Sequence, residues 1–195
     1  MPDLPQPAFE RQVPGGDSRE RDVCTHCGFI DYQNPKVVVG SVVSHDGRVL
    51  LCRRAIEPRS GYWTLPAGYL ELGETVEAGA MREAQEEAEA DIAIEGVLAL
   101  FSISRIGQVQ VIFRASFAAA PHFAAGPESA EVGLFAWDEI PWNDIAFPSV
   151  HWALDAWRSS YGRPLGVPAG NPPNDLPSDL GEVTPLPAMS GVAGL

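Results

Sequence analysis

No apolar run in this 195-residue chain approaches the ~20 residues needed to cross a bilayer, and the first residues lack the apolar stretch of a secretory leader. A soluble, cytoplasmic protein with no membrane contact is therefore expected. Basic residues are scarce too: 13 Lys and Arg stand against 26 Asp and Glu, a formal net charge of -13. General nucleic-acid binding needs a basic footprint, so that class is excluded. A phosphorylated small molecule remains admissible if metal ions and a few arginines reverse the local sign. Three cysteines cannot build a disulfide scaffold, and the chain has no internal repeat. What is present is 45% hydrophobic content, enough for one main domain with attachments.

Residues 1–23 are rich in Pro and charge, with Pro14-Gly15-Gly16-Asp17 as a turn and no core-forming pattern. Val37–Val43 reads as a largely buried strand, and Val49–Cys52 as its hairpin partner across Asp46-Gly47. Arg53 and Arg54 follow at the strand end; one of the two is a candidate for a substrate diphosphate, because Arg suits bidentate phosphate contacts. Gly61–Gly68 is a short strand in which Trp63 reads as core. Ile92–Ile94 and Val97–Phe101 are two strands or one bulged strand, and Val109–Ala115 is another, linked through Ser104–Gln108. Pro148 opens a helix whose Val150, Ala153, Leu154 and Trp157 recur at helical spacing and end before Gly162, with His151 as a surface or packing residue. Beyond Arg163, prolines and glycines leave little for a core, and a mobile tail is expected.

The chemistry concentrates between Gly68 and Glu87. Thr75 is a plausible N-cap, Glu74 and Glu77 put negative charge where a helix dipole favours it, and the helix should begin near Val76. Glu83 and Glu87 then lie one turn apart with Glu86 on the neighbouring row, so three carboxylates crowd one face. Val76, Ala80, Ala84 and Ala88 form a small-residue stripe that packs on a sheet. Arg82 can pair with Glu74 and hold the preceding loop against the helix. Hard divalent ions, Mg²⁺ or Mn²⁺, take such carboxylate oxygens while substrate phosphates and water fill the remaining positions. A solvated acidic face is the bland alternative.

Gly68, Glu74, Arg82, Glu83, Ala84, Glu86 and Glu87 fall on the spacing of the Nudix box, and the stretch resembles that of the Nudix hydrolases, with Glu89 in place of the final Gly. Gly61 to Gly68 resembles the family's lead-in to the box. The resemblance implies an α/β/α sandwich with a mixed β-sheet over residues 35–162. It also implies metal-dependent hydrolysis of the diphosphate in a nucleoside diphosphate derivative. On that reading Glu83, Glu86 and Glu87 are metal ligands and catalytic groups, with Arg82 beside them. The backbone carbonyl near Ala67 or Gly68 reaches a metal, and Glu128 and Glu131 are candidates for an extra ligand, a base or a substrate contact.

Cys24-Thr25-His26-Cys27 and the following residues resemble the N-terminal zinc ribbon of the branch that includes FAD and ADP-ribose pyrophosphatases. Residues 1–34 then form an arm and a ribbon-like segment, and 163–195 the tail. A second Cys pair is missing. The zinc site at Cys24 and Cys27 is either degenerate, the favoured reading since structural zinc normally has four ligands, or completed by His26, Cys52 or a partner chain. FAD or ADP-ribose is the favoured substrate. NADH is the alternative, although the longer motif that the NADH branch bears after the box is absent; a nucleotide-sensing module without turnover is the other. Homodimerisation, common in the family, is an expectation from the resemblance alone. Arg53, Arg54 and Glu128 are the substrate-binding candidates, and no nucleic-acid partner is expected.

Overall fold

The computed structural model describes residues 8–173, and its contacts divide the chain into two units that part between Pro35 and Lys36. In the first unit β1 (Phe9–Gln12), β2 (Arg21–Cys24) and β3 (Ile30–Asp31) make an antiparallel sheet in that order. β1 is exposed along its whole length, so it is held by its ladder to β2 and not by a core. The expected turn is present: Asp17 N donates to the Pro14 carbonyl at 3.0 Å. The Asp17 carboxylate accepts from the Ser18 amide at 2.7 Å and from Arg21 Nε at 2.9 Å, closing the loop between the two strands. The Arg21 guanidinium lies over the Tyr32 ring, 5.2 Å from its centre.

The second unit opens with β4 (Lys36–His45) and β5 (Arg48–Arg54), joined by Asp46 and Gly47, whose φ of 47° and 74° match the tight turn that their sequence called for. The two strands pair only near this turn, at Ser44 with Val49 and His45 with Arg48. Beyond it they part, and a wedge of chain enters: β6 (Trp63–Thr64) pairs with β5 and β7 (Ala67–Tyr69) with β4. The stretch read as one strand is thus two. Pro66 lies between them, and a proline cannot donate to a ladder. Helix α1 (Val76–Ala88) follows, then β8 (Ile92–Ile103), β9 (Gln108–Phe117), β10 (Ser129–Phe135) and α2 (Pro148–Ser160). The path through the sheet is β10-β5-β4-β9-β8, with β4 parallel to β9 and the other pairs antiparallel. β8 is one strand with two register shifts, one on either side of Gly96 and Val97, which resolves the alternative left by its sequence.

Strand alternation distributes the core to both faces. Val42, Val49 and Leu51 pack toward Ala153, Leu154 and Trp157 of α2, while Val43, Leu50 and Cys52 pack toward Ala84 and Ala88 of α1. Each fully buried Leu or Val contributes about 1.5–3 kcal/mol of transfer free energy. The alanine stripe on α1 lets that helix lie close to the sheet, which fixes the height of its glutamates above it. The result is the expected α/β/α sandwich on a mixed sheet. Trp63 is core, edge-on to Phe135 at 4.9 Å, and His151 stacks on Trp142.

The segment after Arg163 departs from expectation as far as residue 173. Ala169 donates to Leu98 O at 2.9 Å and accepts from Leu100 N at 2.8 Å, and Asn171 exchanges two hydrogen bonds with the Ser102 backbone. Leu165 packs on the α2 side of the core. β8 offers an unpaired edge there, and a proline-rich chain can still satisfy it at selected residues. The rest of the expected tail, from residue 174, lies outside the described residues, as do residues 1–7. Among the described residues no helix is long and apolar enough to cross a membrane.

Candidate active site

Helix α1 starts at Val76, with Thr75 as N-cap accepting from Ala78 N at 3.2 Å. It ends on Glu89 in the left-handed conformation, φ 48°, whose amide returns to the carbonyls of Ala84 and Gln85. The chain therefore keeps the turn that a glycine would make easily and makes it with a glutamate.

Arg82 organises the acidic face. Its Nε and Nη2 donate to the Glu74 carboxylate at 3.1 and 2.8 Å, and Nη2 also reaches Tyr69 O at 3.1 Å. Nη1 donates to Glu83 Oε1 at 2.7 Å and to Glu86 Oε2 at 3.0 Å. The loop carrying Glu74 is thereby tied to the helix, as the sequence suggested. The Arg82 hydrogen bond, and then the Glu71 amide, hold the Glu74 carboxyl down at about 2.

Burial has the opposite effect on the next turn. Glu83 is 8% exposed, and desolvation pushes its carboxyl above the usual range against the pull of Arg82. Glu87 is 5% exposed, and its burial raises it to about 7. The Ala67 amide, donating to Glu87 Oε2 at 3.0 Å, opposes that rise; the charge of Glu83 adds to it. Glu86 stands exposed on the outer row. Gly68 passes so close that a Cβ there would fall on the Glu83 carboxylate, which explains glycine at the head of the box.

These groups form one wall of a cleft of about 760 Å³. Its carboxylates are Glu57, Glu71, Glu83, Glu86, Glu87 and Glu128, and its cations are Arg54, Arg82 and Arg105. Arg53 and Arg54 point to opposite sides of β5, as alternation requires. Arg54 lines the cleft, its Nε donating to Pro58 O at 2.8 Å and its guanidinium over the Phe147 ring. Arg53 does not line it: its Nε reaches Gly61 O, and Nη1 pairs with Glu131 at 3.5 Å, its cross-strand neighbour on β10. The structure thus brings Arg54, Glu128, Ala67 and the three box glutamates to one cleft, and puts Arg53 and Glu131 together elsewhere.

Sequence reading missed the far wall. Tyr69, Arg105, Gln108, Gln110, Phe147 and Trp152 also line the cleft. Only the alternation of Gln108 and Gln110 along β9 was available as a signal, because which strand face is left uncovered depends on where α2 lands.

The carboxylates fit hard divalent ions in kind, as oxygen donors on a wall of negative sign. As placed they do not converge: Glu83 and Glu86 hold Arg82 and Glu87 holds the Ala67 amide, and among the described residues no group of three or more His, Cys, Asp or Glu is arranged around one metal position. Glu86, being exposed, has freedom to turn. In the first unit Cys24 and Cys27 sit on a formed knuckle, with Gly28 N donating to Cys24 O at 2.9 Å and Gly28 at φ 75°. The Cys27 and His26 amides lower the Cys24 thiol. Two thiols alone do not fit a four-ligand zinc site. Cys52, one candidate to complete it, is buried beneath α1, and that burial pushes its thiol up.

The sequence profile of the NUDIX domain matches residues 34–155, and that of the Nudix N-terminal region matches residues 6–33. A crystal structure of a NUDIX hydrolase from Nitrosomonas europaea superposes with a TM-score of 0.79 at 42% identity, over 88% of this chain and 99% of that one. An ADP-ribose pyrophosphatase from Methanocaldococcus jannaschii is 35% identical over 71 residues, 36% of this chain and 42% of its own. The NAD-capped RNA hydrolase NudC from Haemophilus influenzae is 36% identical over 66 residues, 33% of this chain and 25% of its own. The matches to these two relatives therefore span less than half of their length. With box, fold and profile in agreement over the second unit, the chain belongs to the NUDIX hydrolases.

Proposed function

We propose that the protein hydrolyses the diphosphate of a nucleoside diphosphate derivative, with ADP-ribose or FAD as substrate and AMP as one product. The observation that carries this reading is the clustering of Glu83, Glu86, Glu87 and Glu128 on one wall of a cleft sized for a nucleotide. A diphosphate would be repelled by a cleft with six carboxylates and three guanidiniums unless cations offset them. Glu83, Glu86 and Glu87, with the Ala67 carbonyl, would hold Mg²⁺ or Mn²⁺; when bound, such a cation supplies charge neutralisation and Lewis acidity at the diphosphate.

The remaining work belongs to the chain. A water oxygen attacks one phosphorus, the bridging P–O bond breaks toward the other phosphate, and the water proton passes to a carboxylate. Glu86 and Glu128 serve that transfer: among the described residues the first is solvent-exposed and bonded only to Arg82, the second is on the cleft wall, and neither carboxylate accepts from a backbone amide. Arg82 positions the cluster, since all its donors are already engaged. Arg54 and Arg105 are the cations available to phosphate oxygens.

A panel of ADP-ribose, FAD and NADH with Mg²⁺ or Mn²⁺, followed by chromatographic detection of AMP, tests the reading. AMP from ADP-ribose or FAD is the expected result. Clean preference for NADH, the second reading favoured by the NAD-linked relative, moves the substrate. Tight nucleotide binding with no turnover of any compound replaces hydrolysis by sensing.

A further inference from the structure

The far wall of the cleft carries polar residues where the strand pattern leads into core. Gln108, Gln110 and Ile112 share one face of β9, and Ile112 is buried on the α2 side. One and two steps before it on that face, the chain places carboxamides that are only half-buried and line the cleft. Half-buried amides find partners, and these find each other. Gln110 Nε2 donates to Gln108 Oε1 at 3.4 Å, and Gln108 Nε2 donates to Tyr69 Oη at 3.2 Å. Tyr69 is itself held, with Lys36 Nζ over its ring at 5.1 Å.

The chain of donors runs one way, from Gln110 through Gln108 to Tyr69. Its free end is Gln110: among the described residues its Oε1 accepts no hydrogen bond, and its second amide hydrogen has no acceptor. An amide in that state offers an acceptor and a donor side by side. Its complement is a purine edge with an exocyclic amine next to a ring nitrogen, the pairing by which Gln reads adenine. Trp152 and Ile103 line the same region and supply apolar surface for a ring.

We propose that the Tyr69–Gln108–Gln110 relay reads the base of the substrate and selects adenine over a 6-oxo purine. This rests on the reading above that the substrate is a nucleotide derivative. Anchoring at Tyr69 keeps the Gln110 nitrogen turned toward Gln108, so the oxygen faces the exocyclic group; an amine satisfies it and a carbonyl leaves two acceptors opposed.

Calorimetric titration of the full chain with AMP and with IMP in Mg²⁺ tests this without requiring turnover. The wild-type protein is expected to bind AMP about tenfold or more tightly than IMP, the effect of one mispaired buried group. Gln110→Leu, similar in volume, is expected to bind AMP about tenfold more weakly and to lose the preference, while its melting temperature stays near wild type. Equal binding of AMP and IMP, binding of neither, or unchanged AMP affinity in Gln110→Leu overturns the proposal. Should Gln110→Leu fail to fold, Tyr69→Phe, which removes the anchor, must lower the AMP preference. A protein that prefers AMP but hydrolyses no ADP-ribose keeps the base reading and loses the hydrolytic one.

Discussion

Replacing Glu87 by Gln changes one atom and should move stability and activity in opposite directions. Burial raises the Glu87 carboxyl from 4.5 to about 7, which corresponds to a cost of about 3 kcal/mol for carrying its charge in the folded, metal-free protein. The sign follows from linkage. Below pH 4.5 the group is protonated in both states and costs nothing; between 4.5 and about 7 the unfolded chain ionises first and the folded state falls behind; above 7 the full cost is present. The variant keeps the acceptor for Ala67 N and removes the charge. In EDTA at pH 8 it should melt roughly 6–12 °C above wild type, at the usual 2–4 °C per kcal/mol for a chain of this size, and the gap should close toward pH 4.5. With Mg²⁺ its kcat should fall about 10²-fold or more, as expected when a ligand or base is lost. Differential scanning calorimetry over a pH series, run beside a turnover assay, reads both. A gap that is absent or independent of pH refutes the burial argument, and near-normal turnover refutes the assignment of Glu87.

Three further outcomes follow from the same geometry. Glu89→Gly should raise urea stability by about 1 kcal/mol without altering substrate choice, because the residue already sits at φ 48°, where Gly has no Cβ penalty. Arg54→Ala should raise KM for the diphosphate substrate at least fivefold with kcat nearly kept, whereas Arg53→Ala, on the other side of β5, should change KM less than twofold; equal effects would undo the division of the two arginines. Glu74 is held at about 2 by Arg82, so its contribution is present above 4.5 and lost as pH falls toward 2; Glu74→Gln should flatten the acid limb of a stability profile between those values, and an unchanged limb would show the pair to be without effect.

Local signals were legible wherever neighbouring residues suffice to set a conformation. The Asp46-Gly47 hairpin, the Thr75 cap, the start of α2 at Pro148 and the pairing of Arg82 with Glu74 were all readable, since each involves few residues and a strong steric or electrostatic preference. The strand over Gly61–Gly68 was misread as continuous because its partners, β5 and β4, part at long range from it in sequence. The packed stretch up to residue 173 was missed for a related reason: composition shows that a segment cannot build its own core, but not that a neighbouring strand edge will accept it.

The sequence by itself determined the acidic helix, its family and the class of chemistry, because seven residues at fixed spacing, five of them on α1 and two on the strand and loop that lead into it, carry them. Tertiary structure decided which charges share the cleft. It separated Arg54 from Arg53 by strand alternation along β5, and it left Glu128, just before β10, on the cleft while Glu131 on β10 pairs with Arg53. It brought Tyr69, Gln108 and Gln110 together from three neighbouring positions on β7 and β9. It also set the proton affinity of Glu87, which depends first on its burial where α1 presses its alanine stripe onto the sheet, with the charge of Glu83 one turn back adding to the rise.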